Sequence, residues 1–280
     1  MRCILQTVVF FVFPVVMPPR QSFPSHPRVR DAAALGFTSS LGPFAANGIM
    51  PGFHAMAEDY GVSFVAVQQS LTIYLFTYAF FSLVAGSFSD SYGRRPTFIG
   101  GMLLFAAASV GAAFSQSLWA LYGWRLLQGI GAAVGQVVTQ AIVRDNWSGP
   151  EAANVNGMIA FFFAAGPALA PVVGGQIVMH FGWHAVFLFL MVYSLSIAFF
   201  IYFRIPETLN AADRSAFNLS VICSNYAKGL THGAFMTGVV AHGILFMGGI
   251  LYSAGSADFV IKVMGLDVDE FGWLSIPLIF

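Results

Sequence analysis

Long apolar runs separated by short polar turns dominate the chain. A bilayer core about 30 Å thick takes roughly 20 apolar residues per helical crossing, and each run is long enough for one crossing. Continuous runs favour helices over a barrel, whose strands alternate apolar and polar residues. We therefore predict an all-α polytopic membrane protein. The predicted spans cover residues 32–53, 64–88, 96–115, 118–143, 153–179, 183–203 and 234–259, and an eighth begins near Glu270.

The composition agrees with this prediction. Hydrophobic residues make up 58% of the chain and charged residues 9%, with a mean hydropathy of +0.76, whereas soluble domains are about 45–50% apolar. The 12 basic residues balance 12 acidic ones. This balance argues against a nucleic-acid partner, because phosphate binding needs an accumulated basic surface. The two cysteines, Cys3 and Cys223, lie in no metal-ligand spacing.

The sequence pattern also lacks catalytic chemistry. A membrane hydrolase or transferase needs a nucleophile, a base or metal ligands clustered near one membrane face. His180 and His184 form a close pair, but Gly182 and Trp183 between them indicate a turn with an interfacial anchor. No phosphate-binding loop of the form Gly-x-x-x-x-Gly-Lys-Ser/Thr occurs. We expect a protein that is not an enzyme and that uses neither a metal nor a cofactor.

Basic residues fall in alternate turns between the predicted spans. Because Lys and Arg in short loops stay on the cytoplasmic side, this asymmetry predicts a cytoplasmic N-terminus in the inner (plasma) membrane. Export of the first residues as a signal sequence would carry three arginines outside, so we interpret residues 1–31 as an N-terminal extension. The other predicted units are a six-helix bundle (32–203), a cytoplasmic connector (204–233) and an incomplete second bundle (234–280). The basic residues concerned are Arg20, Arg28, Arg30, Arg94, Arg95, Arg144, Arg204, Arg214 and Lys228.

The turn after the second predicted span, GSFSDSYGRRP, concentrates charge in a chain that has little of it. Gly86 is predicted to allow close helix packing, and Asp90 to cap a helix or to pair across the bundle. Gly93 suits the positive φ of a tight turn, and Arg94 and Arg95 anchor the turn in the cytoplasm. We interpret these five residues as a gating motif. A plain turn with orienting charges explains the arginines but not the whole pattern.

Arg125 lies in the fourth predicted span, in the stretch RLLQGIGAA, together with Gln128. An arginine in a membrane helix is costly unless it faces a polar interior. We therefore predict that Arg125 and Gln128 contribute to a substrate or coupling site. The alternative is that Arg125 reaches from the outer end of its helix to the membrane surface.

The fifth predicted span contains GPALAPVVGG, which places Gly166, Pro167, Pro171, Gly174 and Gly175 close together. Its two prolines interrupt backbone hydrogen bonds on one face, and its glycines permit close contact with a neighbouring helix. A bent, tightly packed helix is a candidate pivot or seal for alternating access. An ordinary kinked membrane helix is the alternative.

These three stretches resemble the loop signature, the fourth-helix motif and the antiporter signature of the major facilitator superfamily. The stretches IMPGFHAMAEDYGVS, AIVRDNW and PETL resemble its bicyclomycin and chloramphenicol resistance (Bcr/CflA) group of drug:proton antiporters. The resemblance implies twelve helices in two six-helix bundles, with substrate bound between them near mid-membrane. Because the chain ends inside the eighth predicted span, we expect a complete N-terminal bundle and the start of a C-terminally truncated second bundle.

The resemblance also implies export of small amphipathic drugs by proton antiport, with a small molecule, protons and the lipid bilayer as partners. Members of the group often carry an acid in the first span, where Asn47 stands here and cannot titrate. His242, in the seventh span, is a titratable candidate, although a packing histidine fits equally well. Asp258, at the outer end of that span, is another candidate. The alternatives are a metabolite exporter or facilitator of the same fold, or a truncated fragment that does not transport.

Overall fold

The computed structural model describes residues 29–210, 212 and 214–258, and the regular structure of these residues is helical. The predicted extension before residue 29 and the predicted eighth span near Glu270 lie outside the described residues. The helices are α1 (Val29–Asn47), α2 (Phe53–Tyr60), α3 (Phe64–Tyr92), α4 (Arg94–Ala113), α5 (Leu118–Asn146), α6 (Gly149–Phe181), α7 (Trp183–Arg204), α8 (Leu219–Thr231) and α9 (Gly233–Asp258), with a 3-10 turn at Met50–Gly52 before α2.

Five of the described helices, α3 to α7, are long and apolar enough to cross a membrane. Helix α1, in the predicted first span, does not meet the same criterion. In the predicted seventh span, the part of α9 to which the criterion applies, Gly233–Ile244, is apolar but shorter than one crossing. In α1 the reason is its polar residues, since Arg30 and Asp31 in the first turn lower the hydropathy most and Thr38, Ser39 and Ser40 lower it further. Instead of continuing through the predicted span, α1 ends at Asn47 and is followed by the 3-10 turn.

Local sequence explains where the other helices begin. The predicted starts at Phe64, Leu118 and Trp183 are the observed starts of α3, α5 and α7. The Ser63 hydroxyl accepts a hydrogen bond from the Ala66 N–H at 3.3 Å, and the Ser117 hydroxyl does the same for the Ala120 N–H at 3.2 Å. Both serines satisfy amide groups that a helix leaves unpaired in its first turn.

The turn between α3 and α4 is much tighter than predicted. Because α3 continues to Tyr92 and α4 begins at Arg94 rather than Pro96, Gly93 alone separates the two helices. Its φ is 102°, a conformation that L side chains rarely adopt. Asp90 therefore lies in the last turn of a helix and not in a loop.

Helix α5 lies at the centre of the bundle and packs mainly against α3 and α4, with further contacts to α1, while α1 packs against α6 and α4 against α7. Glycines permit the close approach of α5 to both α3 and α4. A β-carbon at Gly129 would lie 2.7 Å from the Tyr74 carbonyl oxygen of α3, and one at Gly131 would lie 2.6 Å from the Gly101 carbonyl oxygen of α4. Small residues at helix contacts let backbones approach, which is how helices gain packing energy inside lipid.

The bundle has two chemically different ends. At one end, which we call the Ser115 end, the Tyr60 hydroxyl lies 2.6 Å from the Ser115 hydroxyl. There the Trp183 indole also donates a hydrogen bond to Asp59 at 2.6 Å. At the other end, the Gly93 end, the α3–α4 turn lies beneath the segment that joins α7 to α8. These contacts hold the short helix α2 and the connector against the main helices.

Candidate functional site

Arg125, on α5, contacts α1 and α3 in the interior of the bundle. It is fully buried, and its Nη1 group donates hydrogen bonds to the Ala45 carbonyl of α1 at 3.3 Å and to the Gln128 side-chain carbonyl at 3.0 Å. Its guanidinium carbon lies 4.4 Å from the centre of the Tyr74 ring on α3. We call Arg125, Gln128, Tyr74 and Ser109 the arginine cluster. The interpretation of Arg125 as an interior residue is correct, and extension to the membrane surface is excluded in this conformation.

Gln128 completes the cluster by bridging α5 to α4. Its amide nitrogen donates to the Ser109 hydroxyl at 2.8 Å, and that hydroxyl donates to the Phe105 carbonyl at 2.8 Å. Gln128 and Ser109 are both fully buried. Tyr74 and Ser109 were not predicted as site residues, because a tyrosine or serine within an apolar run gives no sign of which helix it faces.

The charge of Arg125 is only partly compensated, and no carboxylate in the described part of the chain pairs with it. Ala45 belongs to the last turn of α1, where carbonyl groups lack helical partners and carry partial negative charge. The Tyr74 ring contributes the negative face of its π system. Compensation is incomplete, since Nε and Nη2 of Arg125 have no hydrogen-bond partner among the described residues.

Two further predicted site residues lie outside this hydrogen-bond network. Asn47, the last residue of α1, is half-buried and donates from its side-chain nitrogen to the Pro43 carbonyl at 2.8 Å. His242 is exposed on α9, so the structure does not bring it to the fully buried Arg125. The side chain of Asp258, the other candidate at the end of that helix, lies outside the described part of the structure.

The predicted gating motif forms a connected charge network at the Gly93 end. Arg94 is buried; it forms an ion pair with Asp90 of α3, four residues earlier across the turn, and its Nε donates to Asp145 of α5 at 2.9 Å. Arg95 donates to the main-chain carbonyl of Tyr202 on α7. The motif therefore ties α3, α4, α5 and α7 together.

The structure decides between the two roles predicted for Asp90 and corrects the one predicted for Gly86. Asp90 lies in the last turn of α3 and pairs with Arg94 of α4, so it takes the pairing role and does not cap a helix. Gly86 does not mark a close helix approach, since a β-carbon there would meet only Val137, at an ordinary 3.7 Å.

Glu207, in the connector, contacts the charge network at the start of α4 and was not predicted as a site residue. Its Oε1 accepts hydrogen bonds from the Arg94 N–H at 2.9 Å and from the Leu209 N–H at 3.1 Å. A side chain at Gly93 would collide with the Glu207 carboxylate, and Arg214 lies 3.8 Å from the other carboxylate oxygen. A carboxylate at the first amide of α4 complements the positive end of the helix dipole. The only sequence feature that could have pointed to Glu207 is the PETL stretch, which contains it.

The glycines of the fifth predicted span are not equivalent. A β-carbon at Gly166 would lie 3.2 Å from Pro43 of α1, and one at Gly174 would collide with the Gly48 carbonyl just after α1. At Gly175 it would meet only Pro51, at 3.9 Å. Helix α6 continues through Pro167 and Pro171. Its small-residue face therefore packs along α1 as far as the point where α1 ends.

An apolar groove lies between α3 and α5, apart from the arginine cluster. Its volume is about 640 Å³, and it opens to the surface of the bundle. The aromatic residues that line it are Phe76, Phe80, Phe81, Trp119 and Tyr122. Phe76, Phe80 and Trp119 are exposed, as lipid-facing residues are.

The fold and the site together define a multi-pass helical membrane protein with a buried arginine at its centre and a charged network at one end. The family model of the Major Facilitator Superfamily matches residues 34–280, and the chain belongs to that family. This result confirms the resemblance inferred from the sequence motifs and the all-α membrane fold.

Several relatives carry names that refer to drug resistance. The chain is 30% identical over 239 residues to the bicyclomycin resistance protein homolog of Haemophilus influenzae, covering 85% of this chain and 60% of that protein. It is 32% identical over 169 residues to multidrug resistance protein D of Escherichia coli, covering 60% of this chain and 43% of that protein. The chain thus spans less than two thirds of the length of these relatives.

Solved structures agree on the fold. The structure of a peptide transporter, POT, in complex with sulfate matches with a TM-score of 0.59 at 18% identity, covering 91% of this chain and 50% of that one. The human organic anion transporter MFSD10 matches with a TM-score of 0.52 at 23% identity, covering 70% of this chain and 53% of that one.

Proposed function

We propose that the protein exports small amphipathic compounds, antibiotics among them, across the inner membrane in exchange for protons, with its N-terminus in the cytoplasm. The observation that carries the proposal is the buried arginine cluster, in which Arg125 contacts α1, α3 and α5. Ionisable residues inside membrane helices are expensive to keep and mark substrate or ion pathways. The drug-resistance names of the relatives support the choice of substrate class.

The two ends of the proposed mechanism have separate structural elements. The network of Asp90, Arg94, Asp145 and Glu207 serves as the cytoplasmic gate, because it joins helix ends that have to separate when that side opens. The α1–α6 contact through Gly166 and Gly174 serves as the pivot or seal. Rocking of one rigid bundle against another around a fixed site is the common form of alternating access.

Proton coupling needs a group that titrates, and Asn47 does not. In this proposal the coupling group lies outside the first helix, with His242 as the candidate. A second function, facilitated or uncoupled export of a metabolite, is favoured by one observation: an amide at Asn47 donates to the Pro43 carbonyl and offers no site for a transported proton.

Drug-stimulated proton movement in everted membrane vesicles tests the two functions against each other. The complete gene product that contains residues 1–280 is expressed in a host without its own exporters, and internal pH is followed while chloramphenicol or bicyclomycin is added. We expect the drug to release protons from acidified vesicles, and His242→Ala to reduce that release. Drug uptake without proton release would support the uncoupled function. The absence of both drug uptake and proton release would contradict the proposed export.

A further inference from the structure

The unpartnered donors of Arg125 lie on one edge of its guanidinium group. Nη1 is the nitrogen that serves Ala45 and Gln128, whereas Nε and Nη2 have no partner among the described residues. Nε–H and Nη2–H are parallel donors in a fixed plane. This edge matches the two oxygens of a carboxylate, which arginine binds in a bidentate manner.

Nothing in the described part of the chain fills this edge. Asn47 directs its side-chain nitrogen to the Pro43 carbonyl, and the Tyr74 hydroxyl donates to the Gly42 carbonyl at 2.9 Å. The described ion pairs of the bundle lie at the Gly93 end and leave Arg125 out. A buried cation with two unused donors is costly to maintain, and a ligand that supplies both charge and acceptors removes that cost.

We propose that the Nε–Nη2 edge of Arg125 binds the carboxylate of an anionic amphipathic substrate. The inference rests on the proposed function, because it assumes that small amphipathic compounds enter the bundle. Arg125 is fully buried in this conformation, so the edge becomes available when α1 or α3 separates from α5. The Tyr74 ring, already 4.4 Å from the guanidinium carbon, keeps the group in place while the substrate enters.

Equilibrium binding to the 280-residue chain in lipid nanodiscs tests this assignment. The probes are a radiolabelled aromatic carboxylic acid of amphipathic shape, its methyl ester and the amine of the same skeleton. We expect the acid to bind at least about tenfold more tightly than either neutral or cationic probe, which corresponds to about 1.4 kcal/mol. Equal affinity for the acid and its ester would overturn the inference.

Three variants locate the effect. Arg125→Lys keeps the charge but loses the planar edge, and we expect it to lose the preference for the acid. Arg144→Lys, on the exposed last turn of the same helix, is the matched control and should keep it. Gln128→Glu places a carboxylate where the amide oxygen now lies 3.0 Å from Nη1, so it should neutralise Arg125 and abolish the preference without removing its partner. Retained preference in Gln128→Glu nanodiscs would also overturn the inference.

Failure of the inference is distinguishable from failure of the proposed function. If the complete gene product exports the ester or the amine but the acid has no advantage in binding, the carboxylate assignment is wrong and drug export stands. If the acid binds through Arg125 but neither the three probes nor chloramphenicol and bicyclomycin are exported, the export proposal is wrong and the carboxylate site stands. Competition by chloride alone, with acid and ester bound equally, would identify a halide site and refute the substrate assignment.

Discussion

Gly174 and Gly175 are adjacent glycines whose replacement by alanine should have opposite effects. Gly174 is buried against the Gly48 carbonyl, with no space for a β-carbon, whereas a β-carbon at Gly175 meets Pro51 at 3.9 Å. Both lie inside α6, so alanine improves helix propensity equally at the two positions. The pair therefore separates helix contact from intrinsic propensity.

The expected magnitudes follow from these contacts. Alanine in place of glycine inside a helix contributes about 0.8–1.0 kcal/mol, and this gain should appear undiminished in Gly175→Ala. In Gly174→Ala the same gain is opposed by overpacking, which costs about 1–3 kcal/mol. The cost should lie near the upper end of that range, because the obstacle is main chain and cannot rotate away. We expect the Gly174→Ala unfolding free energy to lie about 1–3 kcal/mol below that of Gly175→Ala.

Thermal unfolding of the purified chain in detergent measures the difference. For chains of this size, 1 kcal/mol shifts the midpoint by about 2–4 °C, so the two variants should differ by several degrees, with Gly175→Ala the more stable. Equal midpoints, or a higher midpoint for Gly174→Ala, would show that the α1–α6 contact is not as close as described. A parallel drug-resistance assay should show the larger loss for Gly174→Ala if this contact is the pivot.

Three further predictions concern orientation, the buried site and the proposed cytoplasmic gate. Single cysteines at Ser148 and Glu58, in a background without native cysteines, should react with an impermeant reagent added to intact cells only at Glu58; preferential reaction at Ser148 would reverse the orientation. Arg125→Ala should reduce export much more than Arg144→Ala at matched membrane levels, since only Arg125 is buried, and equal rates would remove its proposed role. Glu207→Gln weakens a carboxylate contact at the start of α4 and should lower stability by about 1 kcal/mol in thermal unfolding, whereas Glu58→Gln, on the exposed face of α2, should have little effect; equal changes would contradict the capping role.

Much of the fold was predictable because membrane helices are determined by local sequence. Continuous apolar runs predict the long helices, and Ser63 and Ser117 explain the observed starts of α3 and α5. The position of Arg125 was also predictable, since a charge within an apolar run has to find a polar interior. The end of α1 at Asn47 was not predicted, because a short polar stretch within a helix gives no sign of whether the next residues continue it.

The sequence by itself determined the class of protein, the approximate helix bounds and the presence of an interior cation. Only the tertiary structure decided what that cation contacts and which residues form the charge network at the Gly93 end. Glu207 accepts a hydrogen bond from the Arg94 N–H although the two residues are 113 positions apart, and no local pattern encodes such a pairing. Likewise Gly174 and Gly175 are the same residue type, and they differ because the 3.6-residue helical period turns one toward α1 and the other away from it. Helix formation depends on residues nearby in sequence, whereas the site depends on the faces that packed helices bring together.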